Sequence, residues 1–212
     1  ALSGFSVANT DYEPFGICVS ADGKNLYVAN FDIYTIDFNI ISIFDRNTST
    51  GALTANGNIT TQIHPFGICI SPDGKNVYVT NSAISDSVSI FDRNTSTGAL
   101  TANTTIAAGD RPQEICISPD GKNIYIVNVD GENISIFDRN TSTGALTANG
   151  TIATGNIPQS ICFSADGKNV YVTNNDSDSI SIFDRNTSTG ALTAKGTTAV
   201  TYPLAICIYP VN

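Results

Sequence analysis

Five places in the 212-residue chain bring side chains capable of chemistry to one recurring position. The residue before a repeated proline is Glu13, His64, Arg111, Ile157 or Tyr202. The pair after that proline is Phe15-Gly16, Phe66-Gly67, Gln113-Glu114, Gln159-Ser160 or Leu204-Ala205. A carboxylate, an imidazole, a guanidinium and a phenol around one opening could hold a small molecule or a glycan. Glu13 or His64 could then act as a general base. The candidate ligand-binding set is Glu13, His64, Arg111, Gln113, Glu114, Gln159 and Tyr202. No residue takes a catalytic role. His64 is the only histidine, and neither a Ser-His-Asp order nor a G-x-S-x-G elbow is present.

Other chemistries find less support. Cys18, Cys69, Cys116, Cys162 and Cys207 all occupy one repeat position, next to Ile or Val. They form no C-x-x-C or Cys–His spacing for a metal and no even-numbered disulfide framework, and they read as small buried hydrophobes. Asp86, Asp130, Glu132, Asp176 and Asp178 offer oxygen ligands but complete no D-x-D-x-D-G loop. No metal and no cofactor is expected. The formal net charge of -9 argues against nucleic acid and anionic membrane surfaces. No window reaches the roughly 18 apolar residues of a membrane helix, so membrane insertion is not expected.

The elements that must position these residues repeat. Ser42–Ala55 recurs letter for letter at Ser89–Ala102, Ser135–Ala148 and Ser181–Ala194. Aligned on Pro14, Pro65, Pro112, Pro158 and Pro203, the steps are 51, 47, 46 and 45 residues. Each unit has short β-branched or aromatic runs bounded by Asp-Gly and Asn-Thr-Ser-Thr-Gly turn signals. That pattern is four strands, here a to d, without a helical period. Four strands per 45–51 residues predict a β-propeller blade, covered on both faces by its neighbours. A β-sandwich would show cleaner alternation and a less regular repeat. The expectation is an all-β single domain over 1–212: four complete four-stranded blades (14–64, 65–111, 112–157, 158–202) plus an incomplete fifth. The fifth would combine an unpaired N-terminal outer strand in 1–13 with a C-terminal inner strand in 203–212.

Tyr78-Val79-Thr80-Asn81 and Tyr171-Val172-Thr173-Asn174, with Ser-Pro-Asp-Gly-Lys at Ser71–Lys75 and Ser118–Lys122, resemble the YVTN-type β-propeller repeat family. The resemblance spans nearly the whole chain. It implies a propeller of the kind found on surface-layer or secreted proteins of archaea and bacteria. Enzyme relatives in that resemblance are similar to sugar lactonases with about seven blades.

On these grounds the first expectation for function is a secreted or cell-surface structural protein, not an enzyme. It would self-associate by strand exchange or β-augmentation into an oligomer or filament. The long first b–c loop carries Phe31, Ile33, Tyr34, Ile36 and Phe38, which would pack on their own blade or on another subunit; with Ile206 and Ile208 they are the assembly candidates. A glycan-binding propeller is the first alternative, a lactonase-like hydrolase the second. The chain contains no Met, so Ala1 reads as a processed end, with signal-peptide removal as one cause and trimming on expression as the other. Sequons at Asn47, Asn58, Asn94, Asn103, Asn133, Asn140, Asn149, Asn175 and Asn186 fit an extracellular glycoprotein, although Asn-Thr-Ser-Thr is also turn chemistry.

Overall fold

The computed structural model describes residues 13–31, 39–82 and 84–207. Among them are sixteen strands in four antiparallel sheets, each in sequence order. Blade 1 is β1 (Glu13–Val19), β2 (Asn25–Phe31), β3 (Ile40–Arg46) and β4 (Leu53–Thr60). Blade 2 is β5 (Pro65–Ile70), β6 (Asn76–Asn81), β7 (Ser87–Arg93) and β8 (Leu100–Ala107). Blade 3 is β9 (Pro112–Ile117), β10 (Asn123–Asn128), β11 (Asn133–Arg139) and β12 (Leu146–Ala153). Blade 4 is β13 (Pro158–Phe163), β14 (Asn169–Asn174), β15 (Ser179–Arg185) and β16 (Leu192–Ala199). Pro203–Cys207 forms no strand, so the expected C-terminal inner strand is not formed there. Residues 1–12, Ile33, Tyr34, Ile36, Phe38 and Ile208 lie outside the described residues.

Blades are joined by apolar seams. Tyr27, Ile41 and Ile43 of blade 1 pack with Ile68, Val77, Val79 and Phe91 of blade 2. Equivalent seams join blades 2 and 3, and 3 and 4. Each such side chain contributes about 1.5–3 kcal/mol by leaving water. The b strands are buried on both faces, which is why they read as unbroken apolar runs rather than alternating ones. At the two ends of this arc the same positions are uncovered. Ile17 is 63% exposed where its equivalent Ile68 is 5% exposed.

A polar latch accompanies each seam. The Arg139 guanidinium, on the c strand of blade 3, reaches back to blade 2. It donates to the Tyr78 hydroxyl (2.7 Å) and Asn76 Oδ1 (2.7 Å), and pairs with Asp73 (3.2 Å). Tyr78 in turn donates to the Gly144 carbonyl of blade 3 (2.9 Å). Arg93 and Arg185 repeat the arrangement with Tyr27 and Tyr125. Gly144 sits at φ 75° against the Asn76 side chain, where a Cβ would both strain the backbone and strike the latch.

The two ends of each blade are therefore different. One carries the a–b turns, the c–d turns and the latches. This is the constant end, because the repeated stretches build it. The other carries the b–c turns and the d–a junctions, and holds the positions that vary between repeats.

Candidate functional site

All seven sequence-predicted ligand residues lie at the variable end. The backbone places them there in two ways. First, His64, Arg111, Ile157 and Tyr202 adopt positive φ (47–56°) immediately before a proline or junction loop, a conformation disfavoured for side-chain-bearing residues. The b–c turn stabilises it. The N–H groups of His64, Arg111 and Tyr202 donate to the side-chain oxygens of Asn39, Asp86 and Asp178 respectively, at 2.8–3.0 Å.

Second, the pairing of a with b strands shifts register at the dipeptide after the proline, as between Pro14 and Ile17 or Pro65 and Ile68. Such irregularities re-aim side chains and often stand beside active sites. Here they release Phe15-Gly16, Phe66-Gly67 and Gln113-Glu114 from the ladder, and Gln159 alone in blade 4, where Ser160 stays paired with Thr173. At Gly67 the inner strands approach so closely that a Cβ would lie 2.3 Å from the Gln113 carbonyl oxygen.

The rim has two halves. On blades 1 and 2 it is aromatic. Phe15 stacks on Phe31 (4.7 Å between centroids) and contacts Phe66 (4.6 Å), while His64 lies 4.9 Å from Phe31. Phe31, expected as an assembly contact, is thus half-buried within this cluster. On blades 3 and 4 the rim is polar. Arg111 pairs with Asp130 at 3.0 Å, with both side chains substantially exposed. Glu114 is half-buried, and burial pushes its carboxyl above the usual range, opposed by a hydrogen bond from the Ile115 N–H. Among the described residues no cation pairs with it. Gln113 is buried, Gln159 half-buried, Glu13 exposed and Tyr202 73% exposed.

The charge is segregated by end. Nine of the ten lysines and arginines lie in the constant half: the four a–b turn lysines, the four c-strand arginines and Lys195, which pairs with Asp184. They face eight acids, the repeats of Asp22 and Asp45. The variable end has one such cation, Arg111, against eight described acids. These are Glu13 and Glu114 on inner strands, Asp110 beside Arg111, and Asp86, Asp130, Glu132, Asp176 and Asp178 on b–c turns. The constant half is +1 and the variable end -7; Asp11, Asp32 and Asp37, outside the described residues, complete the net -9.

Other features are structural. A groove of about 690 Å³ lies between blades 3 and 4 at the constant end, lined by Asn123, Asp138, Arg139, Asn149 and Thr189. Those are latch and turn residues present in several repeats, so the groove is a seam and not a site. Of the five cysteines expected to be buried, Cys69 is buried, Cys18, Cys116 and Cys162 are half-buried and Cys207 is exposed; burial pushes the Cys18 thiol up to about 12 and Cys162 to about 11. Among the described residues no group of acids, His and Cys is placed to hold a metal. Asn47, Asn94, Asn140 and Asn186 are exposed and accept two backbone N–H bonds each within the c–d turn, so these sequons do turn work. Asn133 is half-buried, with its amide donating to the Gly131 carbonyl.

Comparison with known proteins bears on what this rim does. The family model for "Lactonase, 7-bladed beta-propeller" matches residues 7–113 and 101–210. No curated protein matches the chain. Among solved structures, a Bacteroides fragilis protein assigned as a 6-phosphogluconolactonase is 27% identical with a TM-score of 0.80, over 92% of this chain and 57% of its own. A Bacteroides uniformis protein with the same assignment is also 27% identical (TM-score 0.80, 91% and 57%). Kuenenia stuttgartiensis hydrazine synthase is 26% identical (TM-score 0.66, 95% and 53%). The chain thus spans a little over half the length of the first two, near the share that four blades make of seven.

These matches overturn two expectations: that the protein is a self-assembling structural element, and that it belongs to no enzyme class. The identical repeats are the strongest feature of the sequence. Those identities build the constant end, and say nothing of the rim. The rim residues missed as candidates are Phe15, Phe66 and Asp130. Their signal was available in part, because the dipeptide after the proline varies between repeats. The register shift that turns it out of the ladder has no linear mark.

Proposed function

The chain belongs to the lactonase family of seven-bladed β-propellers, and on that premise we propose that its variable rim binds a cyclic ester and hydrolyses it. The observation that carries this reading is Glu114: a half-buried carboxyl at a register irregularity, raised by burial and without a cation partner among the described residues. A carboxylate with a raised pKa is the better base near neutrality. It takes a proton from water as the water oxygen attacks the lactone carbonyl carbon. The oxyanion needs a donor, and the Arg111 guanidinium three residues earlier is the one Arg or Lys of the described rim. When the ring C–O bond breaks, the leaving alkoxide recovers the proton from Glu114. The product is the open hydroxy acid.

The test is a hydrolysis assay on a panel of sugar and aryl lactones. Glu114→Gln should lower kcat by about 10²-fold or more with the fold intact by circular dichroism. Unchanged kcat in a folded variant removes Glu114 from the mechanism.

Three finer features belong to the same proposal. The repeat is of the YVTN type, supported by the distinct contacts its Tyr, Thr and Asn make. The ring continues past the four described blades, supported by the uncovered faces of blades 1 and 4. There the partner is a blade carrying the same latch. The protein is extracellular, supported by its sequons, and intact mass of native material tests for glycans.

A further inference from the structure

Resting on the lactonase reading, we propose that this rim selects an uncharged lactone bearing an apolar portion, held on the Phe15–Phe31–Phe66 cluster, and rejects phosphorylated lactones. Two independent observations point the same way.

The first is charge. A phosphate ester brings about two negative charges at neutral pH. A site built for it places arginine or lysine around the phosphate, in bidentate or point-charge contact. The described variable end has a single Arg or Lys, whose N–H groups can still donate but whose charge is offset by Asp130 at 3.0 Å. Seven further described acids stand at the same end, so the field an approaching anion meets is repulsive. The nine other cations are all in the constant half. Five of these are latch arginines or a lysine held by acid or backbone partners: Arg46, Arg93, Arg139, Arg185 and Lys195.

The second is the aromatic half of the rim. Three phenylalanines meet at centroid distances of 4.6–4.7 Å, with Phe15 still 41% exposed. In blades 3 and 4 the residue equivalent to Phe15 and Phe66 is Gln113 or Gln159. So the aromatic surface is local and borders the polar half that holds Glu114, where a Cβ at Gly67 would lie 3.1 Å from the Glu114 Cα. An apolar ring or chain stacks there while its ester carbonyl faces the polar half. An aryl-fused or alkyl-substituted lactone has that shape; a sugar phosphate does not.

The experiment compares kcat/KM for gluconolactone, its 6-phosphate and dihydrocoumarin on the 212-residue protein. Dihydrocoumarin should be the best substrate. The neutral sugar lactone should exceed its phosphate by about tenfold or more at low salt. That ratio should shrink as ionic strength rises from ~0.01 to ~1 M, because the screening length falls from about 30 to 3 Å. Asp110→Asn with Asp176→Asn, both exposed, should narrow the ratio without lowering turnover of the neutral lactone. Phe66→Ala should raise KM for dihydrocoumarin by a larger factor than KM for gluconolactone. Preference for the phosphate, or a ratio indifferent to salt, overturns the proposal while leaving lactone hydrolysis standing. If no lactone is turned over, the hydrolase reading fails, and selection is read by saturation-transfer NMR with 1,5-anhydroglucitol, its 6-phosphate and chroman. Binding of chroman but not the phosphate supports the inference. Binding of the phosphate, or of none of the three, overturns it.

Discussion

The four letters of the Tyr-Val-Thr-Asn motif have four different physical tasks. Tyr78 joins blade 2 to blade 3 through its hydroxyl, and Val79 fills the seam toward blade 1. Thr80 accepts the Gly67 N–H at 2.8 Å and donates to the Gln113 carbonyl, tying adjacent inner strands together. Asn81 donates to Ser89 at 2.9 Å across to the c strand. Thr80 meets the rim only through the backbone of Gly67 and Gln113, and the other three do not reach it, so the motif is a fold signature. Tyr78→Phe leaves a buried guanidinium and carbonyl each short of a partner and should lower stability by about 1–3 kcal/mol, read by urea unfolding. Glu114 behaves oppositely. Its folded pKa lies above the unfolded value, so protonation is favoured in the fold. The stability this gives is complete below the unfolded value, about pH 4.3, and is lost as pH rises through the folded pKa. Glu114→Gln should therefore raise the melting temperature at neutral pH, and the gain should vanish at acid pH. The same titration should set the acid limb of kcat/KM in the unmodified protein, above the usual Glu range, and the limb should disappear in the variant. A gain in stability together with a loss of turnover is what a group kept for function predicts.

At the level of the blade, strands and turns were legible because their signals are local and recur. Gly51 and its copies do take φ 75°, and the Asp-Gly turns take φ 67–70°. The latch was not legible. Arg93 and Tyr27 are 66 residues apart, and the Arg of Ser-Ile-Phe-Asp-Arg carries no linear sign that it belongs to the previous blade. Nor were the register shifts, which arise only when two strands are paired. Both now make predictions. Arg139→Ala strands Asn76, Tyr78 and Asp73 in a buried seam and should destabilise by about 3 kcal/mol or more. Part of that loss is electrostatic. Burial alone would raise Asp73, but hydrogen bonds from Ser71, the Lys75 N–H and Arg139 hold it below the usual range. Its contribution is thus present above about pH 3.9 and lost as pH falls through the folded value. Acid titration of the melting temperature should therefore be flatter in Arg139→Ala. Gly67→Ala, forced against the Gln113 carbonyl, should unfold the chain at markedly lower urea concentration.

On the scale of the molecule, the repeats make a row of units that contact only their neighbours, so stability should be highest where both neighbours are present. Blades 2 and 3 have both. Blade 1 shows Ile17 and Val19 to solvent, and blade 4 leaves Tyr171, Ile180 and Ile182 only half-buried where their equivalents are covered. The exposed faces are the two halves of one latch. Among the described residues the Arg46 guanidinium holds only the Gly23 carbonyl of its own blade, at 3.0 Å, without the tyrosine that Arg93, Arg139 and Arg185 each reach. Tyr171, Asn169 and Asp166 are the other half, without an arginine among the described residues. In the 212-residue chain, amide exchange should then be slowest over β5–β7 and β9–β11 and faster over β1 and β14. Arg46→Ala should cost less than about 1 kcal/mol against the ~3 kcal/mol of Arg139→Ala. A blade of the same type seated on these faces would bury Arg46 against a tyrosine and an asparagine, and the two substitutions would then cost alike. The ratio of their effects on unfolding, measured across protein concentration and in any longer form of the chain, reports directly whether the arc is continued.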